Sequence, residues 1–482
     1  MYNIFDSFEF VTAVFHHKRD NVFYKFLQNT NSISMQPIQE TKFKEIVKDI
    51  QIPIWAIRHS LGVEAGEENF SHVTINSIED IFERRRIELN HSLIGNNSIR
   101  DLFYRGMKIS VSENSYSHAV GPIHAGVIEP GHFRFCVNGE TIEHLTIRLG
   151  FQHRNILQQL KGKTPLQAIS ISESISGDST IAYSTAFNNI YEEACGIQVS
   201  EETKLIRMVL LEIERCAIHI GDIGAMAGDI GYYPLLGLCA TDRGIPLGTM
   251  EALTGSRFGK GAIFPGEVRL NPKLDLSTLI SLVANLIQCF RRVEKEFLRA
   301  ARSSTVRERF DGCGKISKSI ALQNSFLGMV ARSSGLNMDL RLSEKLYSET
   351  KTPLNLTLER ENLNGDAWAR FYLRFLELKN SIQWLESVLP ELNLSVQKKN
   401  KLLILNQNKC KAGLYYKSIE GWRGSVLVVL DINSKGQIVE SYIRDPSVLN
   451  WHALELAVKG ELIGDFPLNN KSFNLSYAGF DL

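Results

Sequence analysis

Cysteine residues are the first side chains to consider for chemistry, because their thiolates hold metals and carry redox reactions. The chain has seven, and the two that lie closest in sequence are Cys195 and Cys216. No CxxC pair occurs, so local spacing predicts no zinc ribbon, no iron–sulfur segment and no redox dithiol. We therefore predict that each cysteine is a small buried hydrophobic residue. The seven are Cys136, Cys195, Cys216, Cys239, Cys289, Cys313 and Cys410.

Two other kinds of reactive pattern are absent from the sequence. Ser176 and Ser179 form a close pair of hydroxyl groups, but no GxSxG segment surrounds either one, so we predict no hydrolase nucleophile. No GxGxxG segment is followed by an acidic residue at the spacing of a dinucleotide-binding fold. We therefore expect NAD(H) to bind elsewhere, on another protein.

The composition is that of an ordinary globular protein. Of 482 residues, 44% are hydrophobic and 22% are charged. Lys and Arg (54) nearly balance Asp and Glu (53), so there is no global basic surface for nucleic acid. The segment from Met1 to Asp6 lacks the basic and apolar regions of a secretory signal. No apolar run approaches the roughly 20 residues that span a bilayer, so we predict a cytoplasmic chain.

The hydrophobic pattern changes along the chain and predicts an α+β protein that is mainly helical. Residues 1–116 read as a small α/β module, with helices over residues 43–50 and 78–89 and a strand over residues 52–57. In residues 120–150 the pattern alternates, and Asn138-Gly139 between two such runs predicts a β-hairpin with a two-residue turn.

Long helices are predicted over residues 165–390, each with one apolar face, which favours a bundle. Ser200 precedes one long periodic run and is its expected cap, and a second long helix is predicted to follow Asp275. A third helix should run from Asp366 to Leu389, where Pro390 ends it. In residues 391–482 we predict strands over 412–418, 424–431 and 437–444 and a short helix over 451–458.

A set of motifs carries a family resemblance. Gly121-Pro122-Ile123-His124, followed by Glu129-Pro130-Gly131-His132-Phe133-Arg134, resembles the GPxH…EPGHFR signature of the large subunits of energy-converting, formate-hydrogenlyase-type nickel–iron hydrogenases. Further matches follow in the same order, among them Asp222-Ile223-Gly224-Ala225, Val330-Ala331-Arg332-Ser333-Ser334-Gly335 and Glu420-Gly421-Trp422-Arg423-Gly424. Residues 117–482 are also similar to the quinone-site subunit of respiratory complex I.

The resemblance implies the large-subunit fold shared by these proteins, a β-hairpin domain packed on a bundle of long helices. Residues 1–116 would then be a reduced form of the small complex I subunit that is often fused there. In the hydrogenases two CxxC pairs hold nickel and iron. Here those positions match Ser176 and Ser179, and Ser447 and Asn450, so the resemblance implies no metal on this chain.

Complex I offers a precedent for a site without thiolates, since its large subunit uses the emptied cavity for a quinone headgroup. The resemblance maps its histidine to His132, with His124 as the second choice, and its aspartate to Asp222. Its tyrosine position is taken by Glu173 or a neighbouring serine. A buried Glu173 would have a raised pKa. A structural alternative remains open for each of these residues. His132 could be a loop or interface histidine, Asp222 could bond the backbone or an arginine, and Glu173 could be a paired structural residue.

Three arginines complete the candidate site. Arg154 matches the arginine that in complex I faces the terminal iron–sulfur cluster of the neighbouring subunit. Arg332 and Arg423 lie among glycines and small residues. All three could instead form exposed salt bridges of little consequence.

Two functions of different class follow from the resemblance. In the first, the chain sits peripherally on the inner face of the cell membrane, with antiporter-like membrane subunits and a small iron–sulfur subunit similar to the one in complex I. It passes electrons from the 4Fe-4S cluster of that small protein to quinone or an unknown acceptor. In the second, it is a non-catalytic structural or conformational-coupling subunit. A polar cavity favours the first, and a cavity plugged by apolar side chains favours the second.

Overall fold

The computed structural model describes residues 10–17, 22–29, 31–38, 112–124, 129–356, 363–392 and 410–482. The helices expected over 43–50 and 78–89 and the strand expected over 52–57 lie outside these residues. The described part combines long helices with small antiparallel sheets, as predicted. None of its helices is long and apolar enough to cross a membrane.

Eleven strands and fifteen α-helices are formed by the described residues. The strands are β1 (Phe10–His17), β2 (Val22–Gln28), β3 (Ile33–Ile38), β4 (Tyr116–Val120), β5 (His132–Asn138), β6 (Thr141–Arg148), β7 (Ile263–Phe264), β8 (Glu267–Val268), β9 (Gly413–Glu420), β10 (Ser425–Ile432) and β11 (Ile438–Arg444). The helices are α1 (Ile156–Leu160), α2 (Pro165–Ser172), α3 (Thr180–Cys195), α4 (Glu201–Asp229), α5 (Tyr233–Asp242), α6 (Gly244–Thr254), α7 (Leu276–Arg302), α8 (Ser304–Phe310), α9 (Lys318–Gln323), α10 (Gly328–Ser333), α11 (Lys345–Ser348), α12 (Ala367–Val388), α13 (Pro446–Ala457), α14 (Phe466–Phe473) and α15 (Tyr477–Phe480).

The predicted hairpin is formed by β5 and β6, with β4 as a third antiparallel strand. Its turn lies one residue later than predicted, because Asn138 pairs with Thr141 and leaves Gly139 and Glu140 as the turn. Gly139 has φ +59°, a left-handed conformation that costs glycine little.

The three long helices begin where their caps predict. Ser200 Oγ accepts from the N–H of Thr203 at 3.1 Å, and Asp275 Oδ1 accepts from that of Thr278 at 2.7 Å. Asp366 caps α12 in the same way. Most residues of α4 are buried, and α4, α7 and α12 contribute to one large apolar core. Helix α3 contributes to the same core, so α3 and α4 are packed together beside the candidate site.

The C-terminal strands form a sheet in the order β11-β10-β9, with bounds close to those predicted. Helix α13 begins five residues before the predicted start. Asp445 caps it, accepting from the N–H of Ser447 at 2.8 Å, and Pro446 occupies its first position. The sheet β1-β2-β3 packs on this sheet, with Phe26 and Leu427 in one apolar cluster.

The prediction for the cysteines is wrong at two positions. Cys195, at the end of α3, forms a disulfide with Cys410, which precedes β9. Residues 215 apart in sequence meet here, so no local spacing could reveal the pair. The other five cysteines are buried, as predicted.

Candidate active site

Asp178 lies at the centre of the loop between α2 and α3, between two of the serines matched to lost metal ligands. Ser176 Oγ donates to Oδ1 of Asp178 at 2.7 Å, and Ser179 Oγ donates to the same oxygen at 3.2 Å. The Asp178 side chain keeps 34% of its surface exposed, and Gly177 beside it is also exposed. Sequence reasoning missed this carboxylate, although its place between the two serines was a usable signal.

Arg423 supplies the counter-charge from the turn between β9 and β10. Its Nη2 donates to Oδ2 of Asp178 at 2.8 Å, and its Nε donates to the carbonyl oxygen of Asn474 at 2.7 Å. The indole N–H of Trp422 donates to the carbonyl oxygen of Asp178 at 2.8 Å. Arg423 is only 3% exposed, so the alternative of an exposed salt bridge is wrong for it.

Arg423 keeps the Asp178 carboxylate ionised. Burial alone raises the pKa of Asp178, but the charge of Arg423 outweighs it, together with hydrogen bonds from Arg423, Ser176 and Ser179. The net pKa therefore lies below the usual value. At neutral pH the loop presents an ionised carboxylate backed by a fixed guanidinium.

Ser447 and Asn450, the second pair of positions matched to lost metal ligands, have different surroundings. Ser447 Oγ accepts from the N–H of Ser476 at 2.8 Å, and Ser476 Oγ lies 3.0 Å from Ser176 Oγ. Ser176 and Ser447 are therefore joined through Ser476. Asn450 points elsewhere, since its side-chain amide bonds both the N–H and the carbonyl oxygen of Leu327. Three of the four matched positions converge, and the fourth does not.

Tyr183 is a second residue that sequence reasoning missed. It stands one helical turn after Ser179, and its hydroxyl donates to Oδ2 of Asp445 at 2.6 Å. Both residues are fully buried. Burial, with the charge of Asp445, raises the pKa of Tyr183 well above its ordinary value, so the phenol stays protonated. Its position four residues after Ser179 places it on the same helix face, which could have revealed it.

Asp222 joins the same polar network from α4. Its Oδ2 accepts from Arg374 Nε at 2.8 Å, and its Oδ1 accepts from the side chain of Asn474 at 2.7 Å. Asn474 also accepts from Arg423, so Asp222 and Arg423 are brought together. The arginine contact matches the structural alternative stated for Asp222.

The remaining proton-donor candidates have other surroundings. Glu173 is buried, and its Oε1 accepts from the N–H of Gly261 at 2.7 Å. Burial raises its pKa, as predicted, with smaller opposing effects from Gly261 and Lys260. His132 Nδ1 lies 3.1 Å from the carbonyl oxygen of Gly121, and burial lowers its pKa.

His124 and Arg154 contact different parts of the chain. The ring of His124 packs edge-on against Phe133, with centroids 5.7 Å apart. Arg154 Nη2 donates to the carbonyl oxygens of Ile175 at 2.6 Å and Ala478 at 3.3 Å. It therefore ties the Asp178 loop to the C-terminal segment.

Arg332 belongs to a separate buried cluster. Its Nε donates to Glu377 at 2.9 Å and its Nη1 donates to Glu420 at 2.6 Å. It is 1% exposed, so the exposed-bridge alternative is wrong here too. The cluster is connected to the site along the chain, because Glu420 ends β9 three residues before Arg423.

A small opening of about 10 Å³ reaches the Asp178 loop and is lined by Glu214, Arg257 and Phe258 among others. It has room for about one water molecule. Glu214 Oε1 accepts from the N–H of Ile181 at 2.8 Å. Burial raises the pKa of Glu214 to about 8, and the charge of Asp178 adds to this against the Ile181 hydrogen bond. Glu214 is therefore mostly protonated at neutral pH.

Glu214→Gln should remove a pH dependence of stability. A carboxyl with a raised folded pKa stabilises the fold fully below its unfolded pKa and loses that contribution as pH rises to the folded pKa. The variant should therefore gain stability over wild type from about pH 5 to 8, by on the order of 2–4 kcal/mol at pH 9. Urea unfolding at pH 5, 7 and 9 measures this. A difference that does not change with pH, or one shared by Glu391→Gln, would refute it.

Known proteins resemble this chain over most of its length. The family model for the 49 Kd subunit of respiratory-chain NADH dehydrogenase matches residues 229–481. The membrane-bound hydrogenase subunit alpha of Pyrococcus furiosus is 26% identical, covering 72% of this chain and 82% of the relative. An NADH-quinone oxidoreductase subunit of Dehalococcoides mccartyi is also 26% identical, covering 74% of this chain and 95% of the relative.

A solved structure supports the predicted large-subunit fold. It is that of the membrane-bound sulfane sulfur reductase, an archaeal respiratory membrane complex. One of its chains superposes with a TM-score of 0.69 at 21% identity, covering 77% of this chain and all of the other. Since the family model alone matches more than half of the sequence, the chain belongs to the family of the 49 Kd subunit of respiratory-chain NADH dehydrogenase.

Proposed function

We propose that this chain is a subunit of a membrane-bound oxidoreductase complex and passes electrons from a partner's iron–sulfur cluster to a quinone or another small acceptor. The setting follows from relatives named as subunits of membrane-bound hydrogenase and NADH-quinone oxidoreductase. One observation supports the site. Where the hydrogenases would hold metal, the partly exposed carboxylate of Asp178 is fixed by the buried guanidinium of Arg423.

The donor set does not fit a nickel–iron centre. Three of the matched positions offer hydroxyl groups and Asn450 offers an amide, whereas nickel and iron are held here by soft thiolates. All of these side chains already have hydrogen-bond partners within the chain. In the described part of the chain, no group of three His, Cys, Asp or Glu residues could hold a metal ion. We propose that hydrogen chemistry is not its function.

The polar loop suits an acceptor that gains negative charge. Reduction of a quinone to hydroquinone takes two electrons and two protons, and the intermediate oxygen anions need nearby donors. Arg423 supplies a fixed positive charge, and the hydroxyls of Ser176 and Ser179, which donate to Asp178 in this structure, would turn to donate to the bound acceptor. Neutral Glu214 at the opening can release one of the two protons, and solvent supplies the other. The partner cluster supplies the electrons.

A structural role is the second candidate, and one observation favours it. The opening holds about 10 Å³, far less than a quinone headgroup, and Ser176, Ser476 and Ser447 are already linked to one another. In this reading the loop has been sealed by hydrogen bonds and only holds the complex together. Acceptor binding would then require no contribution from Asp178.

Asp178→Asn distinguishes the two candidates. The substitution keeps the shape of the side chain but removes the charge that holds Arg423 in place. We predict that quinone reduction by the purified native complex falls at least about tenfold, roughly the 1.4 kcal/mol expected of one lost charge-assisted hydrogen bond. Asp311→Asn, at an exposed ion pair with Arg307, is the matched control and should not change the rate. A normal rate in Asp178→Asn would favour the structural role.

A further inference from the structure

A second, larger cleft of about 380 Å³ lies between α3, α4, the 3₁₀ turn Leu340–Ser343 and β9. Small-molecule sites have volumes of roughly 300–1,000 Å³. The cleft shares no lining residue with the opening at Asp178. On α3 the cleft begins at Thr185 and extends toward the C-terminal end of that helix. The proposed electron transfer makes no use of it.

The inner wall of the cleft is apolar. Met208 and Leu211 come from successive turns of α4, Leu340 from the 3₁₀ turn and Tyr347 from α11. Each is less than a tenth exposed, at 7%, 7%, 8% and 4% respectively. Such a surface accepts the hydrocarbon part of a ligand, since covering it removes apolar area from water.

The outer rim carries two lysines on different walls. Lys204, on α4, pairs with Glu201 at 2.7 Å, and Lys417, on β9, pairs with Glu193. All four side chains are well exposed, between 38% and 69%. Pairs of this kind contribute little, about 0–1 kcal/mol. Both ammonium groups can therefore exchange their partner for an anionic ligand.

Two buried donors of the cleft lining lack an acceptor. Arg207 is fixed by Glu192, with its Nη1 at 3.0 Å from Oε2, yet its Nε has no hydrogen-bond partner among the described residues. The hydroxyl of Thr185 likewise has none in the described part of the chain. Buried donors are almost always paired, so an oxygen acceptor is expected near them.

Acidic residues around the cleft disfavour a ligand with more than one negative charge. In the lining, Lys204, Arg207, Arg341 and Lys417 are accompanied by Glu192, Glu344 and Glu420. Glu201 and Glu193 lie beside the two lysines at the rim. Glu344 is exposed at the rim and would repel a dianion.

We propose that this cleft binds a small amphipathic carboxylate. Its carboxylate is held at the rim by Lys204 and Lys417, and Arg207 Nε and the Thr185 hydroxyl are the buried donors of the same cleft. Its hydrocarbon part covers the apolar wall of Met208, Leu211, Leu340 and Tyr347. The site is independent of the electron-transfer proposal.

Octanoate binding to the full-length chain tests the proposal, measured by isothermal titration calorimetry with octanamide and inorganic phosphate as comparison probes. We expect octanoate to bind with a Kd below about 1 mM and both comparison probes to bind at least tenfold more weakly. The double variant Lys204→Gln, Lys417→Gln should weaken octanoate binding at least tenfold. Lys351→Gln, at an exposed pair with Glu391 outside the cleft, should leave it unchanged.

Three results would overturn the proposal. No octanoate binding at 5 mM, on the order of five times the expected limit, would show that the cleft does not take this chemistry. Equal binding of octanamide would mean that no carboxylate is recognised. Unchanged binding in a double variant with a wild-type circular dichroism spectrum would place the ligand elsewhere.

Discussion

Glu377→Gln is expected to lower the free energy of unfolding by about 3–5 kcal/mol, the cost of removing one partner from a buried ion-pair cluster. The Glu377 carboxylate accepts from Arg332 Nε at 2.9 Å, from Arg215 Nη1 at 3.1 Å and from His219 at 3.0 Å. All of these groups are buried. An amide leaves two guanidinium ions without their shared counter-charge.

The effect should depend on pH in a defined direction. Burial alone raises the pKa of Glu377, but the charge of Arg332 and the other donors hold it well below its ordinary value. Stability from a lowered pKa is present above the unfolded pKa and is lost as pH falls through the folded one. The difference from wild type should therefore be full at pH 7 and shrink in acid. Urea unfolding measures it, and Glu391→Gln, at an exposed pair, should cost less than about 0.5 kcal/mol. A loss below about 1 kcal/mol at pH 7 would contradict the cluster's role.

Arg423→Gln should have the largest effect on activity, a fall of about 100-fold in quinone reduction by the native complex. That is roughly 2.7 kcal/mol of lost stabilisation, a typical cost for one charged group facing a developing anion. Without the guanidinium, burial of Asp178 is no longer opposed by its largest favourable partner, so the pKa of Asp178 should rise. The activity of the variant should then depend on pH in a range where the wild type is flat.

Two further variants separate charge from folding. Arg423→Lys keeps the charge but loses the planar fork that bonds Asp178 and Asn474 together, so an intermediate fall of about tenfold is expected. Arg307→Gln, at the surface, should leave the rate unchanged. Equal rates in wild type and a correctly assembled Arg423→Gln complex would remove Arg423 from the site.

The sequence predicted features that depend on neighbouring residues, but it did not predict contacts between residues far apart in the chain. The caps Ser200, Asp275 and Asp366 were predictable because a cap bonds an N–H three residues away. The hairpin turn moved by one residue because Asn138 gained a strand partner. The Cys195–Cys410 pair depends on the packing of α3 beside β9, which no local pattern encodes.

The candidate site was found in part. The motifs identified Ser176, Ser179 and Ser447, and these three serines do converge in the structure. They did not identify Asp178, which lies between Ser176 and Ser179 and accepts from both. Asp222 and Arg423 were singled out separately, and only the folded chain joins them through Asn474. No strand was named before residue 52, although Phe10–His17 forms β1.

The most direct test of an acceptor site at Asp178 is electron paramagnetic resonance of the purified native complex. The partner's iron–sulfur signal is recorded during titration with a quinone analogue, in wild type, Asp178→Asn and the control Asp311→Asn. We predict that the analogue perturbs the signal in wild type and the control and leaves it unchanged in Asp178→Asn. No perturbation in a fully assembled wild-type complex, or equal perturbation in all three, would contradict it.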